Sequence, residues 1–361
     1  MKRRSFFKKG GLLALGTSLL TPSKALTSRE ATQVGQKVAK NIIIVVSDGM
    51  STGTLNMADL HLHRKTGVKS TWLQLYEQNL VSRALMDMAS ASSIVTDSAA
   101  ASSSWGCGER VNNGTLNFST SGKPLKPIWQ KFKAAGKMAG CVTTVPITHA
   151  TPAGFCVASK SRNSQEEIAE KYLEHRFDVM MGGGRKYFSG EFRSDKKDLI
   201  KDYKRAGYEV VFSSQDLGES PSGKPLLGLF QNDALPYSLD RANNAELKKS
   251  VPTLAEMTSK AIEQMKDSQE GFVLQVEAGK VDWAAHANDI GGLVYDQVAH
   301  DEALKVAIDF AKEDGQTLVI VTTDHGNANP GLIYGKDVND NFDTINHYKH
   351  TNEWVLNGIG E

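Results

Sequence analysis

The sequence predicts an α/β fold, with a mostly parallel central sheet and helices on both of its faces. From Asn41 onward, apolar runs of strand length alternate with longer stretches of helical period. The runs are nearly continuous in apolar residues, as strands buried on both faces are. Carboxylate, imidazole and hydroxyl groups then cluster just after those runs, where open parallel sheets bind their ligands.

Taken in order, the strands fall at 41–47 (NIIIVVS), 140–144, 177–181, 272–276 and 317–321. Helical period marks 98–105, 127–135, 165–174, 253–266 and 292–312. Glycines 182, 183 and 184 end the third strand, and the polar stretch 213–244 reads as a long surface excursion. There is no internal repeat. Residues 41–361 are therefore expected to make one domain with surface insertions at about 213–244 and 337–361, preceded by a linker at 26–40.

The first 25 residues read as an address. Arg3 and Arg4 precede an apolar run at 11–20 that is too short to span a bilayer, and Pro22, Ser23 and Ala25 suit a cleavage site. The segment resembles a twin-arginine export signal, which implies the twin-arginine export machinery as a partner and a periplasmic or secreted destination. It holds six basic residues and no acid, so without it the net charge of +1 becomes −5. A mildly acidic chain is not built to grip polyanions, and no nucleic-acid partner is expected. Cys107, Cys141 and Cys156 are too few for a disulfide framework.

Asp48 follows the first strand, Thr148 to Thr151 the second, Glu277 the fourth, and Asp324 with His325 the fifth. Coincidence at several strand ends points to one shared site. Asp282 and His286 lie four apart, a spacing that puts both on one face of a helical turn and within reach of a single ion. Mixed Asp and His ligation suits zinc, whereas an all-oxygen set from Asp48, Thr151 and Glu277 suits magnesium. In Thr96-Asp97-Ser98-Ala99-Ala100-Ala101 a serine opens a helix, placing its hydroxyl and nearby N–H groups before an incoming anion. The esterase pattern G-x-S-x-G is absent there, and activation by a metal would remove the need for a general-base histidine. Arg162 lies just ahead of a helix and has the fork geometry to clamp two phosphoryl oxygens.

In order, V-S-D-G at 46–49, T-D-S-A-A-A at 96–101, T-H-A-T-P-A at 148–153, V-E-A-G-K-V-D-W-A-A-H at 276–286 and T-T-D-H at 322–325 resemble the alkaline phosphatase family. The resemblance implies hydrolysis of small phosphate monoesters with two zinc ions and one magnesium. It implies that Ser98 is the nucleophile that becomes a phosphoserine and that Arg162 binds phosphate. Asp48 would bridge a zinc and the magnesium, with Thr151 and Glu277 completing the magnesium set. Asp282 and His286 would serve one zinc, and Asp324 and His325 the other. His149 and Trp283 occupy positions that vary within the family and bear on magnesium affinity. A homodimer is left open.

The C-terminal part departs from the family. Asp324-His325-Gly326-Asn327-Ala328-Asn329 stands where D-H-E-T-G-G is usual, and the third ligand of the first zinc has its nearest match in His350. Either His350 substitutes for it, or 337–361 is a helical insertion and the usual ending is missing; the lack of strand-like alternation favours the second. Rival readings are a sulfatase, phosphodiesterase or phosphonate hydrolase of the same superfamily, and an exported phosphate- or metal-binding protein without turnover.

Overall fold

The computed structural model describes residues 38–359. The export signal read at 1–25 and most of the linker lie outside them. Seven strands form one all-parallel sheet: β1 (Asn41–Ser47), β2 (Met138–Pro146), β3 (Val179–Gly183), β4 (Glu209–Val211), β5 (Leu226–Leu229), β6 (Phe272–Ala278) and β7 (Thr317–Thr323). Their order across the sheet is β4-β5-β3-β2-β6-β1-β7. β1 therefore sits between β6 and β7, with Val46 beside Glu277 and Ser47 beside Thr323.

Both faces are covered, and this explains the continuous apolar runs. Ile43, Val45, Leu274 and Val276 face a core shared with the helices Leu254–Met265 and Ile290–Asp314. Ala139, Cys141, Met180 and Val273 face the opposite core, built with Trp129, Phe155, Ile168 and Tyr172. Successive residues of a strand point to opposite faces, so a strand with a core on each side needs apolar residues throughout.

The stretch 213–244 departs from the expected surface excursion. It contains the helices Ser214–Glu219 and Ser238–Asn243 and, between them, β5, which pairs with β3 and β4. Leu226, Leu227 and Leu229 are fully or almost fully buried. A four-residue strand between polar flanks is too short to stand out as a periodic run, yet the sheet buries it completely. The stretch 337–361 is helical within its described part, with α-helices at Val338–Asp343 and Asn352–Gly358. Rather than standing off the surface, it buries Phe342 and Ile345 against Met57 and Val294.

Candidate active site at the carboxyl ends of the strands

The site is built from residues at or just past the ends of β1, β2, β6 and β7. Asp48 leaves β1 fully buried, and Glu277 is buried near the end of β6. Asp324 comes directly after β7, is fully buried, and accepts hydrogen bonds from the backbone N–H of Gly49 (2.9 Å) and of His325 (2.8 Å). Gly49 has φ +67°, and a Cβ there would lie 2.4 Å from Asp282 Oδ1. Only glycine meets both demands without strain, which explains the Asp48-Gly49 pair.

Ser98 opens the helix Ser98–Cys107, with Asp97 as its cap: Asp97 Oδ1 accepts from Ala100 N at 2.9 Å. This helix lies against Ala150–Cys156, where Gly106 and Gly154 let the backbones meet: a Cβ on Gly106 would lie 2.0 Å from the Gly154 carbonyl. That close approach sets Ser98 and Thr151 beside the same strand ends. Ser98 Oγ is 3.2 Å from His325 Nε2, and Thr151 Oγ1 donates to Asp48 Oδ2 at 3.1 Å.

Two groups of donor atoms converge. One atom each from Asp48, Asp324 and His325 lie within 4.8 Å of one another, and so do atoms from Asp48, His149 and Glu277. Asp48 belongs to both. Thr151, the third member of the all-oxygen set expected from the sequence, lies beside this group through its bond to Asp48, and His149 brings a ring nitrogen as well. Buried Asp48 Oδ1, Glu277 Oε1, Asp324 Oδ2 and His149 Nδ1 have no hydrogen-bond partner in the protein. Unpaired buried oxygens of this kind are costly unless a cation satisfies them, so the donor set fits metal ions.

The electrostatics agree. Burial, reinforced by Asp324 and Asp282, holds the Asp48 carboxyl well above its ordinary range. Burial and the neighbouring Asp48 do the same to Glu277, and burial pushes Asp324 up to about 7. Three acids crowded into one dry place resist ionising together unless positive charge is supplied.

Asp282 and His286 lie on the helix Lys280–His286, and their Oδ2 and Nε2 atoms are 3.4 Å apart, as the spacing of four requires. Asn327 Nδ2 donates to Asp282 Oδ1 at 2.7 Å. No third His, Cys, Asp or Glu groups with this pair within 4.8 Å among the described residues. His350 is turned elsewhere: its Nδ1 is 3.3 Å from Asp240 Oδ1 and its ring stacks on Trp354 at 4.6 Å. Arg162 reaches the site through Asp97, with Nη1 to Oδ2 at 3.1 Å, and donates from Nη2 to His149 Nε2 at 3.2 Å.

Sequence reasoning assigns no role to Thr143, whose hydroxyl donates to Glu277 Oε2 at 2.5 Å, or to Asp97 as the holder of Arg162. A threonine inside an otherwise apolar buried strand is the available signal for the first. Asp97 has none beyond its place before Ser98.

The sequence matches the family described as Alkaline phosphatase over residues 39–352. The chain belongs to the alkaline phosphatase family. It is 34% identical over 319 residues to alkaline phosphatase 3 of Bacillus subtilis, covering 86% of this chain and 66% of that protein. The alkaline phosphatase of Thermus thermophilus superposes with a TM-score of 0.85 at 35% identity, covering 90% of this chain and 68% of that one. A mutant alkaline phosphatase from the Antarctic bacterium TAB5, with magnesium bound in its M3 site, matches with a TM-score of 0.69 at 26% identity over 80% of this chain and 79% of that one. The chain thus spans about two thirds of the length of the Bacillus and Thermus relatives.

Proposed function

We propose that this member of the alkaline phosphatase family hydrolyses phosphate monoesters through a covalent phosphoserine at Ser98. The observation that carries the reading is the position of Ser98 Oγ, at a helix N-terminus and 3.2 Å from the imidazole that groups with Asp48 and Asp324. Asp48, Asp324 and His325 would hold one zinc and Asp282 with His286 the other, while Asp48, Thr151 and Glu277 would hold magnesium. Bound there, these cations supply Lewis-acid neutralisation of the charge on the entering and leaving oxygens.

The chain's own residues account for the rest. Ser98 Oγ attacks phosphorus, the ester oxygen departs as an alcohol, and water then releases inorganic phosphate and regenerates the hydroxyl. The N–H groups at the start of Ser98–Cys107 favour the anionic phosphoryl group. Arg162, held by Asp97, presents guanidinium donors to the oxygens that neither enter nor leave. Residues 1–25, read as a twin-arginine signal, support activity outside the cytoplasm.

Labelling with radioactive phosphate tests the nucleophile: the wild type should yield labelled phosphoserine and Ser98→Ala none. A covalent phosphoenzyme in Ser98→Ala would overturn the assignment. Turnover of an aryl phosphate well above that of the diester and the sulfate separates this reading from its superfamily rivals.

A further inference from the structure

We propose that the segment 350–353 is a strap that fixes the seat of the helix Lys280–His286 and thereby sets how tightly the pair Asp282–His286 holds its ion. The inference rests on the reading of that pair as one zinc site, and it adds Thr351 and Glu353 to the site as positioning residues.

The helix that carries Asp282 and His286 is seven residues long. So short a helix has little stability of its own, and tertiary contacts must fix it. Both of its ends meet the strap. At the first residue, buried Lys280 donates from Nζ to Glu353 Oε2 at 3.4 Å, and the same ammonium lies 3.5 Å from the Tyr237 ring centroid and 4.8 Å from that of Trp283. The Lys280 backbone N–H donates to Thr144 Oγ1 at 3.0 Å, which ties the first turn to β2. Three residues past His286, buried Asp289 accepts from Asn352 N at 2.5 Å through Oδ2 and from Gly292 N at 2.9 Å through Oδ1. Residues 352 and 353, neighbours in the strap, thus reach the two ends of one helix.

The strap is anchored on a third element. Asp240, buried in the helix Ser238–Asn243, accepts from Thr351 N at 2.9 Å and from Thr351 Oγ1 at 2.6 Å, and lies 3.3 Å from His350 Nδ1. Thr351 Oγ1 also accepts from Trp354 N at 3.3 Å and so caps the helix Asn352–Gly358. Lys280, Asp240 and Asp289 are three buried charged groups, and each has a partner in 350–353. A buried charge that loses its partner is strongly disfavoured, so the strap has one favoured seat. Asp282 and His286 lie between the Lys280 and Asp289 anchors. A shift at either anchor therefore changes the separation of the two ligand atoms, 3.4 Å here. Residues 350–353 in this way serve the pair without ligating it.

The test loosens the strap while keeping its backbone. Chelated full-length protein is loaded with zinc alone and challenged with graded chelator, and the ion missing from His286→Ala marks the pair. In the double variant Thr351→Val, Glu353→Gln that ion should leave at roughly tenfold lower chelator strength, with the other ions unmoved. Thr351→Ser, which keeps the hydroxyl for Asp240, should release it as the wild type does. Where the double variant does not fold, Glu353→Gln alone should move the same ion in the same direction. Amide exchange of the metal-free chain reads the seat directly: residues 281–287 should exchange faster in the variant, with β1 and β6 still protected. Wild-type release of the ion, unchanged exchange across 281–287, or an equal loss of every ion overturns the inference. A wild type that retains no ion attributable to the pair overturns the zinc reading and this inference with it, whereas retention with unaltered release overturns this inference alone.

Discussion

The cage around Asp48 and the pair Asp282–His286 are equally visible in the sequence as candidate ligand sets, yet the fold treats them differently. Asp48, Glu277 and Asp324 emerge from three adjacent strands, β1, β6 and β7, and all are fully buried. Their spacing is fixed by the sheet, since neighbouring parallel strands have little freedom to shift once both faces are packed. Asp282 and His286 share one short helix, and the His286 side chain is 70% exposed. The comparison teaches that strand ends in a two-sided sheet prepare a charged site rigidly, whereas an i,i+4 pair supplies two ligands and leaves the remainder to be found elsewhere.

The largest expected effect comes from Asp48→Asn, because both donor groups share this residue. Activity should fall on the order of 10³-fold or more, and metal analysis should show loss of more than one ion per chain. His286→Ala should cost roughly 10- to 100-fold in retention of one ion only. Equal losses in the two variants would break the comparison.

Next in size is a pH effect on protein freed of metal by chelation. Burial raises Asp324 from 3.8 to about 7, so between those values the folded chain holds a proton that the unfolded chain has released. Stability should therefore fall as pH rises from about 4 to about 7, by on the order of 1–4 kcal/mol. Asp48 and Glu277 are shifted in the same direction. Metal return should flatten or invert this slope. Thermal melts across the range decide it: a chelated protein that becomes more stable toward pH 7 contradicts the dry-cage account.

Gly49→Ala should destabilise by about 2 kcal/mol, since it forces a left-handed φ on alanine and drives Cβ against Asp282. Denaturant unfolding would measure it. The smallest effect expected is that of Asn327→Ala, which removes the hydrogen bond steadying Asp282 and should cost about 0.5–1.5 kcal/mol. Its readout is faster exchange of the ion at the Asp282–His286 pair with the cage unaffected.

Much of this site is legible in the sequence because chemistry and topology coincide. The five expected strands all lie in the sheet, and Asp48, Glu277 and Asp324 stand out as the reactive groups at their carboxyl ends. β4 and β5 are not legible: at three and four residues they carry no periodic signal, and pairing alone makes them strands. The nitrogen of His149 beside Asp48 and Glu277 is equally hidden, because its approach depends on how the helix Ala150–Cys156 is seated by Gly154 against Ser102. His350 shows the converse. The pair His350-Thr351 suggests a ligand, but Asp240 binds both the His350 ring and the Thr351 backbone N–H.

By itself the sequence determined which segments are strands buried on both faces and which reactive groups come after them, since both are local facts of composition and period. The tertiary structure alone decided that a His149 nitrogen joins Asp48 and Glu277, that His350 is held away by Asp240, and that Arg162 is held between Asp97 and His149. Those outcomes depend on strand order and helix seating, and contacts between residues far apart in the chain have no period along it to announce them.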